Sequence, residues 1–282
     1  MAEECSSKGT CGRESCEGCP SKNGGGIPKE PLNADSKIGK VIGIVSGKGG
    51  VGKSTVTSIL ARKLVSEGYK VGIMDADITG PSIPRMLGVT GTVYATEEGD
   101  MIPLESPEGI KVMSMNLLLD EEEDPVVFRG PVVAGVVKQF WSQVYWGELD
   151  YLLVDMPPGT GDVPLTVFQS LPVDGIVIVT SPQDLVRMIV MKAYHMAGKM
   201  NIPVLGFVEN YSYFQCTNCG EILKIFGESG IDELAAELDT TVLAKLPILP
   251  QIAGSADIGA AVDLRGVQID LAPLTKMGEK NA

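Results

Sequence analysis

The chain has 282 residues and a net charge of −13; hydrophobic residues make up 44% of it and aromatic residues 5%. This acidity disfavours a broad nucleic-acid-binding face and electrostatic docking on anionic lipid, so we expect neither nucleic acid nor a membrane as a partner. No apolar run approaches the ~20 residues of a membrane span, and the polar N-terminus lacks the apolar segment of a secretory signal. These features predict a cytoplasmic protein with reduced thiols.

The first 37 residues differ in composition from the rest of the chain. Residues 1–19 are polar and contain Cys5, Cys11, Cys16 and Cys19, four of the six cysteines. Residues 20–37 contain three consecutive glycines and three prolines without apolar periodicity. We therefore predict a metal-binding tail over 1–19, a flexible linker over 20–37 and a folded domain over 38–282.

From residue 38, short apolar runs alternate with helical patterns. The runs are strand-length, end at Gly, Pro or Asp, and are typical of buried parallel strands; they lie at 41–46, 70–77, 109–115, 151–157, 175–182, 204–210 and 242–247. Helical patterns lie between them at 53–67, 131–146, 184–200 and 228–239. The alternation predicts an α/β fold with a doubly wound, mainly parallel sheet.

The loop after the first predicted strand reads GKGGVGKST over residues 47–55. It fits both the dinucleotide pattern G-x-G-x-x-G, with Asp75 at the end of the second strand, and the P-loop pattern G-x-x-x-x-G-K-[ST]. Lys53 and Ser54 favour the P-loop, because a triphosphate requires an ammonium group for its phosphate oxygens and a hydroxyl for Mg²⁺. A dinucleotide pyrophosphate requires neither group.

A second motif agrees with the P-loop. The apolar strand at 151–155 ends in Asp155, whose carboxylate can hold the Mg²⁺ shell. The predicted nucleotide-binding residues of the loop are therefore Gly47, Lys48, Gly49, Gly50, Val51, Gly52, Lys53, Ser54 and Thr55. Lys48 is additional to a plain P-loop and is surrounded by glycines, which indicates a charge directed at something outside the loop.

Cys216 and Cys219 form a CxxC pair followed by Gly220, at which the chain can turn back. A redox dithiol usually lies at a helix N-terminus after a strand, and this context differs. Zinc and a 4Fe–4S cluster each usually take four ligands, so the pair is half of a site. A second CxxC across a symmetric dimer would complete it, or the N-terminal cysteines of the same chain would do so. Those four cysteines are themselves predicted to bind a second cluster or zinc.

Residues 48–55 resemble the deviant Walker A motif, which defines the class of the nitrogenase iron protein and of the MinD and ParA ATPases. Within that class, further segments together resemble the Mrp family, whose eukaryotic relatives are cytosolic iron–sulfur scaffold ATPases. These segments are DADITGPS at 75–82, FRGP at 128–131, DMPPGTGD at 155–162, VEN at 208–210 and CTNC at 216–219. The resemblance runs from about residue 38 to 275 and implies a P-loop NTPase fold for that domain.

The resemblance implies a role for each matching residue. Lys53 and Ser54 would bind phosphates and Mg²⁺, with Asp155 near the metal. Asp77 would orient or activate the attacking water, and Lys48 would reach the nucleotide of the other subunit. Separately, Asn210 would hydrogen-bond adenine, with a loop that starts at Pro247 and ends at residue 250 beside the base.

The function implied by the resemblance is that of a slow, Mg²⁺-dependent ATPase. It would act as a homodimer that binds a 4Fe–4S cluster and passes it to apo-proteins. Two alternatives stay open at this point. One is an ATP-gated electron-transfer protein that keeps its cluster, like the nitrogenase iron protein, and the other is a positioning ATPase like MinD or ParA.

Overall fold

The computed structural model describes residues 29–78, 80, 82–119, 130–183, 186–248 and 267–277. The metal-binding tail predicted over 1–19 and the linker before residue 29 lie outside the described residues. In the ranges that are described, no helix is both long enough and apolar enough to cross a bilayer.

One sheet runs through the described part of the chain. Its strands are β1 (Lys37–Ser46), β2 (Val71–Asp75), β3 (Leu104–Glu105), β4 (Lys111–Met113), β5 (Glu148–Asp155), β6 (Gly175–Thr180), β7 (Val204–Gln215), β8 (Ile222–Leu223) and β9 (Val242–Pro247). Their order is β3-β4-β2-β5-β1-β6-β7-β8, and β9 also pairs with β7. Only the β3–β4 and β7–β8 pairs among these strands are antiparallel. The predicted doubly wound, mainly parallel sheet is confirmed.

Helices connect the strands. Those described are α1 (Lys53–Ser66), α2 (Ile83–Met86), α3 (Gly130–Ser142), α4 (Asp162–Ser170), α5 (Val186–Lys199), α6 (Ile231–Glu237) and α7 (Ala272–Thr275), with a 3₁₀ turn at Met115–Leu118. In α1, Val56, Ile59, Leu60 and Leu64 recur at helical spacing and are buried against the sheet.

The central strands position the functional loops. All residues of β6 and the last six of β1 are buried, because helices cover both faces of the sheet. The parallel register pairs Ile44 and Asp75 with Asp155, so β1, β2 and β5 end at the same edge. Ligands of open α/β sheets bind at this edge.

The described end of the predicted linker, residues 29–36, lies against the domain. Lys29 Nζ donates to the carbonyl oxygens of Phe168 and Leu171, each at 2.7 Å, where α4 ends. The last carbonyls of a helix lack intrahelical partners, and a lysine side chain satisfies them well. β1 then begins at Lys37, one residue before the predicted domain boundary.

Trp146 provides a test of the packing beneath β2. Its side chain is fully buried, and Nε1 donates to the Phe140 carbonyl at 3.0 Å. Trp146→Ala should lower the free energy of unfolding by about 3–5 kcal/mol, because it leaves a large cavity. Tyr94→Ala, at a side chain that is 76% exposed, should change it by less than about 0.5 kcal/mol. Urea unfolding followed by circular dichroism measures both, and equal losses would contradict this packing.

Candidate nucleotide site and CxxC hairpin

The glycine loop joins β1 to α1 and lies at the carboxyl edge of the sheet. Gly52, just before α1, has φ 77°, a left-handed conformation that favours glycine. The following helix is 14 residues long, and its N-terminus together with the loop amides favours an anion. The loop lines a cavity of about 180 Å³ together with Asp77, Ser82 and Pro158. Its shape and charge suit phosphate groups.

A buried ion pair organises this loop. Lys53 Nζ lies 2.7 Å from Asp155 Oδ2, and Ser54 Oγ donates to the same oxygen at 2.6 Å. Thr57 Oγ1 donates to the other carboxylate oxygen, Oδ1, at 2.6 Å. Asp155 is fully buried, so these three groups compensate a charge that would otherwise be costly.

The same donor set fits a magnesium–phosphate ligand. Ser54 and Asp155 offer hard oxygen atoms side by side, the ligand type that Mg²⁺ prefers. Lys53 adds a cation that can neutralise phosphate oxygens. A nucleotide with Mg²⁺ can therefore replace the partners that Lys53 and Ser54 have in this structure.

Asp75 ends β2 and is buried below the functional edge of the sheet. It is fully buried and accepts hydrogen bonds from the Asp77 amide at 3.1 Å and from Ser114 Oγ at 3.2 Å. Burial raises the pKa of Asp75 to about 8, and the neighbouring Asp155 carboxylate adds to the rise. The dinucleotide pattern requires an accessible acid here to bind a ribose, so the burial of Asp75 argues against NAD.

Asp77 lies in the cavity itself. Its Oδ2 is 4.0 Å from Lys53 Nζ, and its side chain is 17% exposed. The carboxylate thus faces the space beside the P-loop lysine, and its role in orienting the attacking water stays a prediction.

Lys48 is exposed at the rim of the same cavity. Its Nζ donates to Gln183 Oε1 at 2.8 Å, beyond the end of β6. The predicted reach of Lys48 to a second subunit stays a prediction, because the structure contains one chain.

Asn210 lies against the P-loop. It is buried, and its Nδ2 donates to the Val51 carbonyl at 2.9 Å. Its contact with adenine stays a prediction, and in this structure the side chain supports the loop backbone. Pro247 ends β9 and pairs with Tyr213 of β7. Residues 249 and 250 of the predicted base-contacting loop lie outside the described residues.

The CxxC pair occupies the turn between β7 and β8. The Gly220 amide donates to the Cys216 carbonyl, and the Cys216 amide donates to the Glu221 carbonyl, both at 2.9 Å. Hydrogen bonds from the Cys219 and Asn218 amides lower the pKa of the Cys216 thiol. A lowered pKa favours the thiolate, which is the form that binds metal.

The CxxC turn places two free thiols close together. Across the described ranges, no three or more His, Cys, Asp or Glu side chains are grouped so that they could hold a metal ion. Cys216 and Cys219 are both free thiols, and Cys219 is exposed. Completion of the site by another chain or by the four N-terminal cysteines, which lie outside the described residues, stays a prediction.

Three contributors were not predicted from the sequence. Thr57 is one helical turn after Lys53, a spacing that places both on one face of α1 and could have revealed it. Gln183 follows the strand β6 with no motif to mark it. Tyr211 adopts φ 60° beside Gly52, and no sequence pattern signals a left-handed tyrosine.

Comparisons with known proteins agree with this geometry. The family described as "ParA: NUBPL iron-transfer P-loop NTPase" matches residues 37–274. The iron–sulfur cluster carrier protein of Clostridium perfringens is 46% identical over 264 residues, which cover 91% of this chain and 92% of that protein.

Two solved structures are similar as well. The nucleotide-binding protein from Archaeoglobus fulgidus in complex with ADP has a TM-score of 0.71 and 46% identity, covering 79% of this chain and 87% of that one. The cell division ATPase MinD of Pyrococcus furiosus has a TM-score of 0.60 and 22% identity, covering 85% of this chain and 100% of that one. The second likeness shows the shared fold alone.

Replacement of Lys53 tests the phosphate site. Lys53→Ala should weaken ATP binding by about 10²-fold or more, because two charge-assisted hydrogen bonds to phosphate are lost. Lys53→Gln keeps a hydrogen-bond donor for the buried Asp155 and should weaken binding to a similar degree while preserving the fold. Equilibrium dialysis with ATP measures both variants.

The matched control is Lys70→Gln, at a lysine paired on the surface with Glu148. It should leave ATP affinity unchanged. Undiminished ATP binding by Lys53→Gln, or equal affinity of the parent protein for NAD, would refute the P-loop assignment.

Proposed function

The chain belongs to the NUBPL iron-transfer P-loop NTPase family, and from this premise we propose that it is an ATP-dependent iron–sulfur cluster carrier. It binds a 4Fe–4S cluster at its CxxC turn and transfers the cluster to apo-proteins in the cytoplasm. The observation that supports this most directly is the pairing of a P-loop site with two free, accessible thiols on one chain. Nucleotide hydrolysis follows from membership of the family, whereas Mg²⁺ dependence and slow turnover belong to the proposal.

The cluster is held between two copies of the chain. Cys216 and Cys219 supply two thiolates, and a 4Fe–4S cluster usually takes four. A two-fold axis beside the turn brings two such pairs together. Apolar side chains that follow the turn are exposed and available to a second copy; they are Ile222, Leu223, Ile225 and Phe226. A cluster at an interface is also accessible to a recipient when the interface loosens.

The P-loop residues perform the nucleotide chemistry. Lys53 leaves Asp155 to neutralise the β- and γ-phosphate oxygens, while Ser54 and Asp155 hold Mg²⁺. When bound, Mg²⁺ neutralises developing phosphate charge. Asp77 orients the attacking water from its place in the cavity. Lys48 exchanges its bond to Gln183 for the phosphates of the other subunit.

The remainder of the proposal concerns the N-terminus. Cys5, Cys11, Cys16 and Cys19 form a separate metal-binding tail for a second cluster or zinc, joined by the linker to the ATPase domain. Four cysteines within 19 residues that lack a core are better suited to metal ligation than to burial.

The CxxC thiols are tested by metal content. Cys216→Ser and Cys219→Ser should each abolish the bridging cluster while ATP binding survives, because either change removes two of the four ligands of a two-fold site. Anaerobic iron and sulfide analysis with the visible spectrum measures cluster content. Replacing all four N-terminal cysteines by serine should leave about two iron atoms per chain, one 4Fe–4S cluster for two chains.

Two outcomes would contradict the shared site. One is loss of all iron when only the N-terminal cysteines are replaced. The other is a monomer in sedimentation velocity that carries a full cluster at the CxxC turn.

Lys48 is tested by separating binding from turnover. Lys48→Ala should retain ATP binding and reduce hydrolysis by about 10²-fold or more, as expected for a cation supplied across an interface. Gln183→Ala removes the partner of Lys48 within the chain but keeps the ammonium, so it should keep hydrolysing ATP. Phosphate release at saturating ATP measures both. Normal turnover by Lys48→Ala would make Lys48 an ordinary surface lysine.

A further inference from the structure

Strand β7 has two parts with different partners. Up to Glu209 it pairs in parallel with β6 and β9 within the sheet. Its register with β9 is irregular between Glu209 and Tyr213, and from Phe214 it pairs with β8 instead. Residues 213–227, which we call the CxxC arm, therefore extend from the last β7 residue that pairs with β9, Tyr213, and begin just after the residues that contact the P-loop.

The base of the arm is fixed to the sheet. Ser212 Oγ and Ser229 Oγ both donate to the carboxylate of Glu209, the second at 2.7 Å. Glu209 is 2% exposed, so its two serine partners compensate a buried carboxylate. The two ends of the arm are thus held together at one point, and movement of the arm is a movement about this base.

Tyr211 lies at the junction in an unusual backbone conformation. Its φ of 60° is left-handed, which is disfavoured for a residue with a bulky side chain. Such conformations persist when the surrounding structure holds them and are concentrated at functional sites. Here the conformation is associated with contacts on both sides of the side chain.

One of these contacts is with the P-loop. A Cβ atom placed on Gly52 would lie 2.9 Å from the Tyr211 hydroxyl oxygen and 2.2 Å from Asn210 Nδ2. Only glycine allows this approach. Since Asn210 also bonds the Val51 carbonyl, two successive residues of β7 rest on two successive residues of the P-loop.

The other contact is with the CxxC arm. The rings of Tyr211 and Phe226 have centroids 6.3 Å apart and planes at 52°, within the range of attractive aromatic pairs. Phe226 follows the CxxC turn and β8 in the arm. The Tyr211 side chain thus lies between the loop that cradles phosphate and the arm that carries the thiols.

We propose that Tyr211 is a positioning residue that transmits the state of the P-loop to the CxxC arm. A phosphate ligand that rearranges the backbone at Val51 and Gly52 displaces the Tyr211 ring, and the ring displaces Phe226 and the arm. The proposal rests on the proposed function for its purpose, because the arm carries the cluster thiols. Such coupling is reciprocal, so a ligand on the arm alters nucleotide affinity by the same factor.

Hydrogen–deuterium exchange of the full-length, cluster-free protein tests this directly. The probe is the non-hydrolysable analogue adenosine 5′-(β,γ-imido)triphosphate with Mg²⁺, at concentrations that saturate each variant. In the parent protein we expect the analogue to change exchange rates in residues 213–227 by about 5-fold or more, the lower end of typical allosteric coupling. Tyr211→Gly tolerates the left-handed backbone but removes the side chain. In this variant the ratio of exchange rates with and without the analogue should fall to about one.

Two further variants sharpen the result. Tyr211→Phe keeps the ring between Gly52 and Phe226 and should retain the nucleotide-dependent change. Asp239→Gly is the matched control, because Asp239 also has a left-handed backbone, with φ 49°, at the end of α6. It should leave the ratio as in the parent protein.

The outcomes separate the two proposals. An arm that ignores the analogue, a Tyr211→Gly protein that responds like the parent, or loss of the response in Tyr211→Phe or Asp239→Gly would overturn the role of Tyr211. The measurement needs no cluster. A protein that never holds iron would therefore refute the carrier function while leaving this coupling to be judged by the exchange data.

Discussion

The buried carboxylate of Asp155 is the constraint on which the nucleotide site depends. A charge without solvent contact must be compensated, and within the described part of the chain its three side-chain partners come from the first turns of α1: Lys53, Ser54 and Thr57. Their bonds hold the helix N-terminus at the end of β5 and thereby fix the loop between β1 and α1. A nucleotide whose phosphates bind Lys53 must exchange partners within this set, so occupancy of the loop is a rearrangement of an existing network.

The sheet topology extends the effect of this site along β7. The parallel strands of such a sheet end at the edge where the P-loop lies. In most α/β proteins the chain turns away from the sheet at this edge and enters a helix. β7 continues beyond that edge, and its residues Asn210 and Tyr211 pass over Val51 and Gly52 before the strand reaches the CxxC turn. Only a few residues of β7 therefore separate the two thiols from the residues that contact the P-loop, and no interdomain linker lies between them.

Sequence patterns predicted those parts of the molecule where a single physical requirement, such as burial or phosphate binding, restricts the residue types that can occur. Unbroken apolar runs located the buried strands, and β9 was predicted at its observed bounds of Val242–Pro247. The P-loop pattern predicted Lys53 and Ser54 because phosphate and Mg²⁺ demand those groups. β7 was predicted to end at residue 210, but it continues to Gln215, and this extension pairs with Pro247 at the end of β9 and with the two-residue strand β8. The left-handed Tyr211 lies between tertiary contacts with Gly52 and Phe226, which a local pattern does not record.

A cluster site divided between two chains would explain how the proposed carrier retains and then releases its cluster. In the proposed dimer each chain would contribute Cys216 and Cys219, so the cluster would bind the dimer and shift the association equilibrium by mass action. In the same proposal, ATP contacted by Lys48 of the opposite chain would shift this equilibrium too, and the two ligands would therefore raise each other's affinity. Hydrolysis removes one of them and weakens the hold on the other. A carrier requires this sign of coupling, because it must retain its cargo in transit and release it on delivery.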